Sequence, residues 1–185
     1  MALYMIFALF GVTCVGKTAI GKIISERLGY EFYDMDAEIK SFYKDTLTNI
    51  YSDCFNRYAI DKKKAAVLQV LLNKCGGDVI IAMSPIYYTM MYKATLAQKN
   101  VFSIVLEDAP ENIADRMICT DAFDLPIENI KPNRQNDIKD VKYFISRYKN
   151  AHNKIQCHFQ INGKSASESA DTIIREIINQ AIWKT

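Results

Sequence analysis

Paired cysteines are missing from this 185-residue sequence. Its five cysteines, Cys14, Cys54, Cys75, Cys119 and Cys157, are odd in number, widely scattered and never spaced as CxxC, and only two histidines, His152 and His158, could join them. This argues against a disulfide scaffold and a zinc site, and a reducing compartment is expected. A dominant charge is missing too. Twenty-three Lys+Arg against 21 Asp+Glu leave a formal +2, too small a field to call for nucleic acid or a membrane surface as partner. Long hydrophobic runs are absent as well. The apolar opening Met1 to Phe10 lacks the basic start and small-residue cleavage site of a secretory signal. No other stretch approaches the roughly 20 apolar residues of a membrane span. A buried strand in a soluble, cytoplasmic protein is expected. Without repeats, low-complexity tracts or a linker, residues 1–185 read as one domain. Half the residues are hydrophobic and 24% charged, enough to build a core without staples.

Three short apolar runs, Leu3 to Phe10, Val79 to Met83 and Val101 to Leu106, read as buried strands, with weaker ones at Tyr30 to Tyr33 and Cys157 to Ile161. Helical patterns lie between them. Ile20, Ile23, Ile24 and Leu28 keep a 3.6-residue spacing and stop at Gly29, a natural C-cap. Ala65, Leu68, Leu71 and Leu72 mark a second helix ending near Gly76-Gly77. Pro110, after the candidate cap Asp108, opens a helix carrying Ile113, Met117 and Ile118. Ile173, Ile174, Ile177, Ile178 and Ile182 give the last helix an apolar stripe. Strands alternating with helices, most strands wholly apolar, predict an α/β domain with a mostly parallel sheet. The segment Thr120 to Asp137 is polar, holds Pro126 and Pro132 and has no period, so a long lid-type loop is expected there.

After the first strand comes Gly11-Val12-Thr13-Cys14-Val15-Gly16-Lys17-Thr18, a full GxxxxGK[ST]. The two glycines let the chain curl so that successive backbone N–H groups point into one concavity, which with the helix N-terminus binds a β-phosphate. Lys17 places a point charge at the β/γ-phosphates, and the Thr18 hydroxyl is a Mg²⁺ ligand. Cys14 reads either as a thiol activated by the helix N-terminus or as a loop residue that matters through its backbone.

The kind of P-loop protein follows from what surrounds the loop. A GTPase wants NKxD, and Asn73-Lys74-Cys75-Gly76 lacks the acid. An AAA-type ATPase wants an apolar strand ending in Asp-Glu. Ile104-Val105-Leu106-Glu107-Asp108 comes near, but Pro110 follows at once, leaving Asp108 as a helix cap or a metal ligand. Asp34-Met35-Asp36 stands at the end of the second strand, where carboxylates at i and i+2 share a face. One can hold Mg²⁺ while the other meets a substrate hydroxyl, or Asp36 caps a helix starting at Ala37.

Gly11 to Thr18, then Ile20-Gly21, then Leu28-Gly29-Tyr30-Glu31-Phe32-Tyr33-Asp34-Met35-Asp36-Ala37-Glu38-Ile39 resembles the opening of the shikimate kinase family. Leu106-Glu107-Asp108-Ala109-Pro110-Glu111 and Asn162-Gly163-Lys164-Ser165 are similar to it further along. The resemblance implies a three-layer α/β sandwich of the P-loop NTPase type, with a five-stranded parallel sheet flanked by helices. It implies ATP and Mg²⁺ as cofactors and phosphoryl transfer to a hydroxyl of shikimate or a similar hydroxylated acid, by a monomer or weak dimer. By position, Lys17 stabilises the transferring phosphoryl, Thr18 and Asp34 hold Mg²⁺, and Asp36 binds the substrate hydroxyls and helps accept a proton. Arg147, roughly ten residues before the last strand, stands where the family clamps the substrate carboxylate, and Arg116, one helix before the lid, is a candidate to pack beside adenine.

Departures from the family fall in the acceptor half. The third strand of the family ends in three glycines, where this chain has Met83-Ser84-Pro85-Ile86, and proline has no amide N–H to donate. The first substrate arginine has no clean counterpart, with Arg57 and Lys62 flanking its place and Ile60 nearly on it. The lid arginine is absent from Ala122-Phe123-Asp124-Leu125-Pro126, with Lys131 and Arg134 as possible replacements. Tyr87-Tyr88 and Tyr92 read as core aromatics or as pocket walls. By resemblance shikimate is the leading acceptor. The alternatives are another small alcohol, or a nucleotide-binding relative that has lost its catalysis.

Overall fold

All five expected runs become strands of one sheet: β1 (Ile6–Phe10), β2 (Glu31–Asp34), β3 (Val79–Ala82), β4 (Val101–Glu107) and β5 (Cys157–Gln160). The computed structural model describes residues 4–118, 127 and 133–182. Every strand pair is parallel, in the order β2-β3-β1-β4-β5. Central β1 is buried along its whole length, while the edge strands β2 and β5 are only partly covered. That difference is why the centre reads as a continuous apolar run and the edges do not.

Helices occupy both faces: α1 (Lys17–Leu28), α2 (Met35–Tyr43), α3 (Leu47–Ser52), α4 (Arg57–Leu72), α5 (Lys93–Leu96), α6 (Pro110–Ala114), α7 (Arg134–His152), α8 (Ala166–Ile173) and α9 (Asn179–Ile182). A 3₁₀ turn, Thr89–Tyr92, precedes α5, and a π-helical turn, Ile174–Ile178, joins α8 to α9. The alternation of β1 side chains divides the core. Phe7 and Leu9 pack with Ile20 and Ile24 of α1 and Ile173 of α8, while Ile6, Ala8 and Phe10 pack with Ile39 of α2 and Leu68 and Leu71 of α4. The result is the three-layer α/β sandwich. Cys14, Cys54, Cys75 and Cys157 are free thiols. Among the described residues no helix is long and apolar enough to cross a membrane.

Local readings are corrected at four places. The second helix runs from Arg57 and ends at Leu72, short of Gly76-Gly77. The Pro110 helix is one short piece with Ala109, not Asp108, at its N-cap, and Met117 and Ile118 lie beyond it. The last apolar stripe is not one continuous α-helix but passes through the π turn. Most of the expected lid loop lies outside the described residues, but Arg134 to Asp137 form the first turn of α7, capped by Asn133. Only Val141, Tyr148, Ala151 and His152 of that 19-residue helix are buried, too few to leave a stripe in the sequence.

Candidate active site

The carboxyl ends of the strands carry the site. β1 feeds at Phe10 into the loop, and α1 begins at Lys17. Gly11 has a φ of 139°, and a Cβ there would lie 2.6 Å from the Leu106 carbonyl oxygen on β4. No side chain fits between the loop and the neighbouring strand. The first turn of α1 has N–H groups with no partner inside the helix, which makes this end an anion site. Lys17 bends back over the loop, its Nζ donating to Gly11 O at 3.1 Å and Val12 O at 2.8 Å. Burial holds its pKa down to about 8, against the opposing attraction of Asp36 and Asp34.

Asp34 is where β2 becomes α2, and it does two things at once. Its Oδ1 accepts from the backbone N–H of Asp36 (3.0 Å) and Ala37 (3.3 Å), so it is the N-cap of α2. Its Oδ2 accepts from Thr18 Oγ1 at 2.6 Å. The reading of Asp36 as cap of a helix starting at Ala37 is thereby corrected: the helix starts two residues earlier, and the cap is Asp34. The Asp36 carboxylate is free of that duty and accepts a hydrogen bond from the buried Ser84 hydroxyl beyond the end of β3. Lys17, Thr18, Asp34 and Asp36 line one cleft of about 110 Å³ with Thr13, Cys14, Ala82 and Met83.

Asp108 is neither cap nor open metal ligand. It is buried, and its Oδ1 accepts from Ala109 N (2.9 Å), Asn112 Nδ2 (2.8 Å) and Gly163 N (3.1 Å). Its Oδ2 accepts from Arg116 Nη2 at 2.6 Å. Burial opposes ionisation, but the bonds from Asn112 and Arg116 outweigh it and hold the carboxyl below its ordinary pKa. Arg116 Nε reaches the Cys14 carbonyl at 3.3 Å, tying Asp108 to the phosphate loop. The Arg116 side chain stays 35% exposed. Cys14, at φ 62°, holds this contact through its backbone.

Arg57 and Arg147 meet in a second cavity, of about 360 Å³, outside the cleft of Asp36. Arg57 comes from the first turn of α4 and Arg147 from α7, yet each guanidinium carbon lies 5.2 Å from the centroid of the Tyr87 ring. Tyr88 and Lys154 share the wall, so Tyr87 and Tyr88 line a pocket, whereas Tyr92 is core. Lys62 is exposed on α4 and Ile60 is half-buried; neither lines the cavity. Arg134 pairs with Asp115 at 2.9 Å, and Lys131 lies outside the described residues.

Two buried charges escaped the sequence. Asp61 is fully buried and Lys64 is 5% exposed. Asp61 Oδ2 accepts from the N–H groups of Tyr87 and Tyr88, both at 2.8 Å, and Lys64 Nζ donates to Pro85 O at 2.7 Å. Burial pushes the Asp61 carboxyl up and the Lys64 ammonium down, while their mutual attraction opposes both shifts. Charges three apart on a helix read as a solvated face, and no pattern in the sequence marks them as internal.

The sequence matches the family described as Shikimate kinase over residues 13–179. The chain belongs to the shikimate kinase family. A curated shikimate kinase of Bacillus licheniformis is 26% identical over 166 residues, covering 90% of this chain and 89% of its own. The shikimate kinase structure from Bacteroides thetaiotaomicron superposes with a TM-score of 0.73 at 16% identity, covering 95% of this chain and 98% of its own. That of Acinetobacter baumannii in complex with shikimate gives 0.69 at 18% identity, covering 96% and 94%. This shikimate kinase family member is thus an ATP-dependent small-molecule kinase, transferring a phosphoryl group to a small metabolite.

Proposed function

We propose that this chain phosphorylates shikimate, taking the γ-phosphoryl group from ATP. The observation that carries the choice of a carboxylate-bearing acceptor is the meeting of Arg57 and Arg147 on one tyrosine ring. Guanidinium is the side chain suited to bidentate recognition of a carboxylate. Of the Arg147 nitrogens, Nη1 donates to the Tyr143 hydroxyl at 2.5 Å, and Nε is buried with no partner among the described residues.

The transfer divides among the remaining residues. Backbone N–H groups of residues 11 to 18 cradle the β-phosphate, and Lys17 leaves its loop carbonyls for the β/γ-phosphates. Arg116, with a face still exposed, packs beside adenine. The acceptor hydroxyl gives its proton to Asp36 as its oxygen bonds to the γ-phosphorus. The bond from that phosphorus to the β–γ bridging oxygen breaks, and ADP leaves.

Magnesium suits the donor set beside this cleft. Thr18 Oγ1 and Asp34 Oδ2 are adjacent hard oxygens, and the second Asp34 oxygen is already committed to the cap of α2. One hydroxyl and one carboxylate oxygen are what Mg²⁺ takes from protein when phosphates complete its shell. When bound, it neutralises charge on the β- and γ-phosphates.

A second reading, another small hydroxylated acid as acceptor, is favoured by the segment after β3. Pro85 has no N–H, and the amides of Tyr87 and Tyr88 are bound to Asp61 rather than turned to an acceptor. ADP release with Mg-ATP, measured with and without shikimate and with Lys17→Ala as blank, decides between the two. Shikimate-dependent turnover supports the first; nucleotide binding without it leaves a kinase fold with a different acceptor or none, and turnover with another hydroxylated acid then supports the second.

A further inference from the structure

The cavity of Arg57 and Arg147 has an internal support that the transfer reaction does not use. Lys64 and Asp61, one helical turn apart on α4, hold the segment after β3 from below. Lys64 takes the Pro85 carbonyl, and Asp61 takes the amides of Tyr87 and Tyr88. Held at its backbone, Tyr87 is also fixed at its ring: the Tyr148 hydroxyl donates to its hydroxyl at 3.3 Å, and the two rings lie 5.0 Å apart. Three cations approach this one ring. Arg57 and Arg147 lie 5.2 Å from its centroid and the Lys64 ammonium 5.8 Å. The charged side chains on the cavity wall are Arg57, Arg147 and Lys154, with no carboxylate among them.

Two guanidiniums in one small cavity repel each other, and nothing acidic in the wall compensates. An aromatic face is the group that can: its quadrupole is negative over the ring, and a cation within about 6 Å of the centroid is attracted to it. We propose that Tyr87 is the positioning residue of the acceptor site. Its ring gathers Arg57 and Arg147, the latter also held by the ring and hydroxyl of Tyr143, into a clamp for an acidic group, and Asp61 and Lys64 hold the ring in place. This rests on the reading of that cavity as the acceptor's carboxylate site. It also gives the altered segment a purpose: a charged strut beneath the chain fixes an aromatic platform where a glycine run would present amides.

The test alters the ring's electronics while keeping its shape. Tyr87→pentafluorophenylalanine keeps an aromatic ring of similar size but makes its face electron-poor; Tyr87→Phe keeps the face and drops the hydroxyl. With shikimate as the probe, the pentafluoro variant is expected to raise the shikimate KM at least tenfold while the ATP KM moves less than twofold. Tyr87→Phe is expected to stay within threefold of the parent. Equal effects of the two variants, or none from the pentafluoro ring, overturn the proposal and leave Tyr87 a packing residue. Arg147→Met run alongside separates the two ideas: an unchanged shikimate KM in that variant overturns the reading of the cavity itself. If the parent does not bind shikimate, the same variants are compared by calorimetry for citrate. A parent that binds neither carboxylate overturns the inference.

Discussion

Thr18 and Asp34 belong to different layers of the sandwich, yet the threonine hydroxyl donates to the aspartate at 2.6 Å. The same carboxylate caps α2 through its other oxygen. Two functions on one residue can be separated by substitution. Asp34→Asn keeps a capping oxygen, so stability is expected to hold, while phosphoryl transfer falls about 100-fold, roughly 3 kcal/mol of transition-state stabilisation. Asp34→Ala is expected to lose the same activity and, in addition, about 1 kcal/mol of stability with the cap. Urea unfolding beside ADP release checks both. Equal stabilities of the two variants would remove the cap from the account.

Lys17→Ala is expected to abolish transfer, by about 1,000-fold or more, with the fold retained. Its ammonium is bonded to two carbonyls of the loop itself, so circular dichroism should be unchanged. Surviving activity would show that the loop does not hold the nucleotide.

Asp36→Asn is expected to leave ATP affinity within about 1 kcal/mol and to stop turnover, because its partner is Ser84 beyond β3 rather than Thr18. Asparagine still accepts from Ser84, so stability should hold. A large loss of ATP affinity by calorimetry would move Asp36 to the metal.

Gly21 faces the sheet from α1, and a Cβ there would sit 2.7 Å from the Phe32 ring. Alanine is the better helix former, yet Gly21→Ala is expected to cost about 1–3 kcal/mol through overpacking. A rise in the urea midpoint would mean that Phe32 moves freely.

His152 gives the pH dependence. Burial first, with Lys17 and His158 adding repulsion, holds its pKa down to about 4 from 6.5. The Tyr148 ring lies 6.1 Å from it, tilted by 30°, and Glu107 and Asp108 share its cavity wall. A depressed pKa means that the unfolded chain takes the proton first. Stability from this group is whole above pH 6.5 and falls progressively as pH drops toward 4. Between pH 7 and pH 5 the loss is about 2 kcal/mol. His152→Gln, which cannot titrate, is expected to lack that part of the slope. Parallel pH profiles for parent and variant would discard it.

The five strands and the phosphate loop were legible because each is a local signal: a buried parallel strand is a run of apolar residues, and the loop is a fixed spacing. The start of α2 was legible only to two residues, since Asp34 and Asp36 are both good caps and only the folded backbone brings the amides of Asp36 and Ala37 to the Asp34 carboxylate. α7 was hidden by its own exposure. Asp61 and Lys64 were hidden by their chemistry, because only three-dimensional placement distinguishes an internal charge from a solvated one. Arg57 and Arg147 were candidates from position alone, and Tyr87, on whose ring both lie, could be read from the sequence as core or as pocket wall but not as their shared partner.

The contacts of Asp108 set an order of events. The carboxylate that steadies the phosphate loop through Arg116 is itself completed by the amide of Gly163, 55 residues later in the chain. During synthesis the loop emerges early, but the group that braces it stays short of one partner until β5 and the turn after it have been made. Nucleotide added to chains stalled before residue 163 should therefore find a weaker site than in longer chains, so that tight binding becomes a report that the far edge of the sheet has closed.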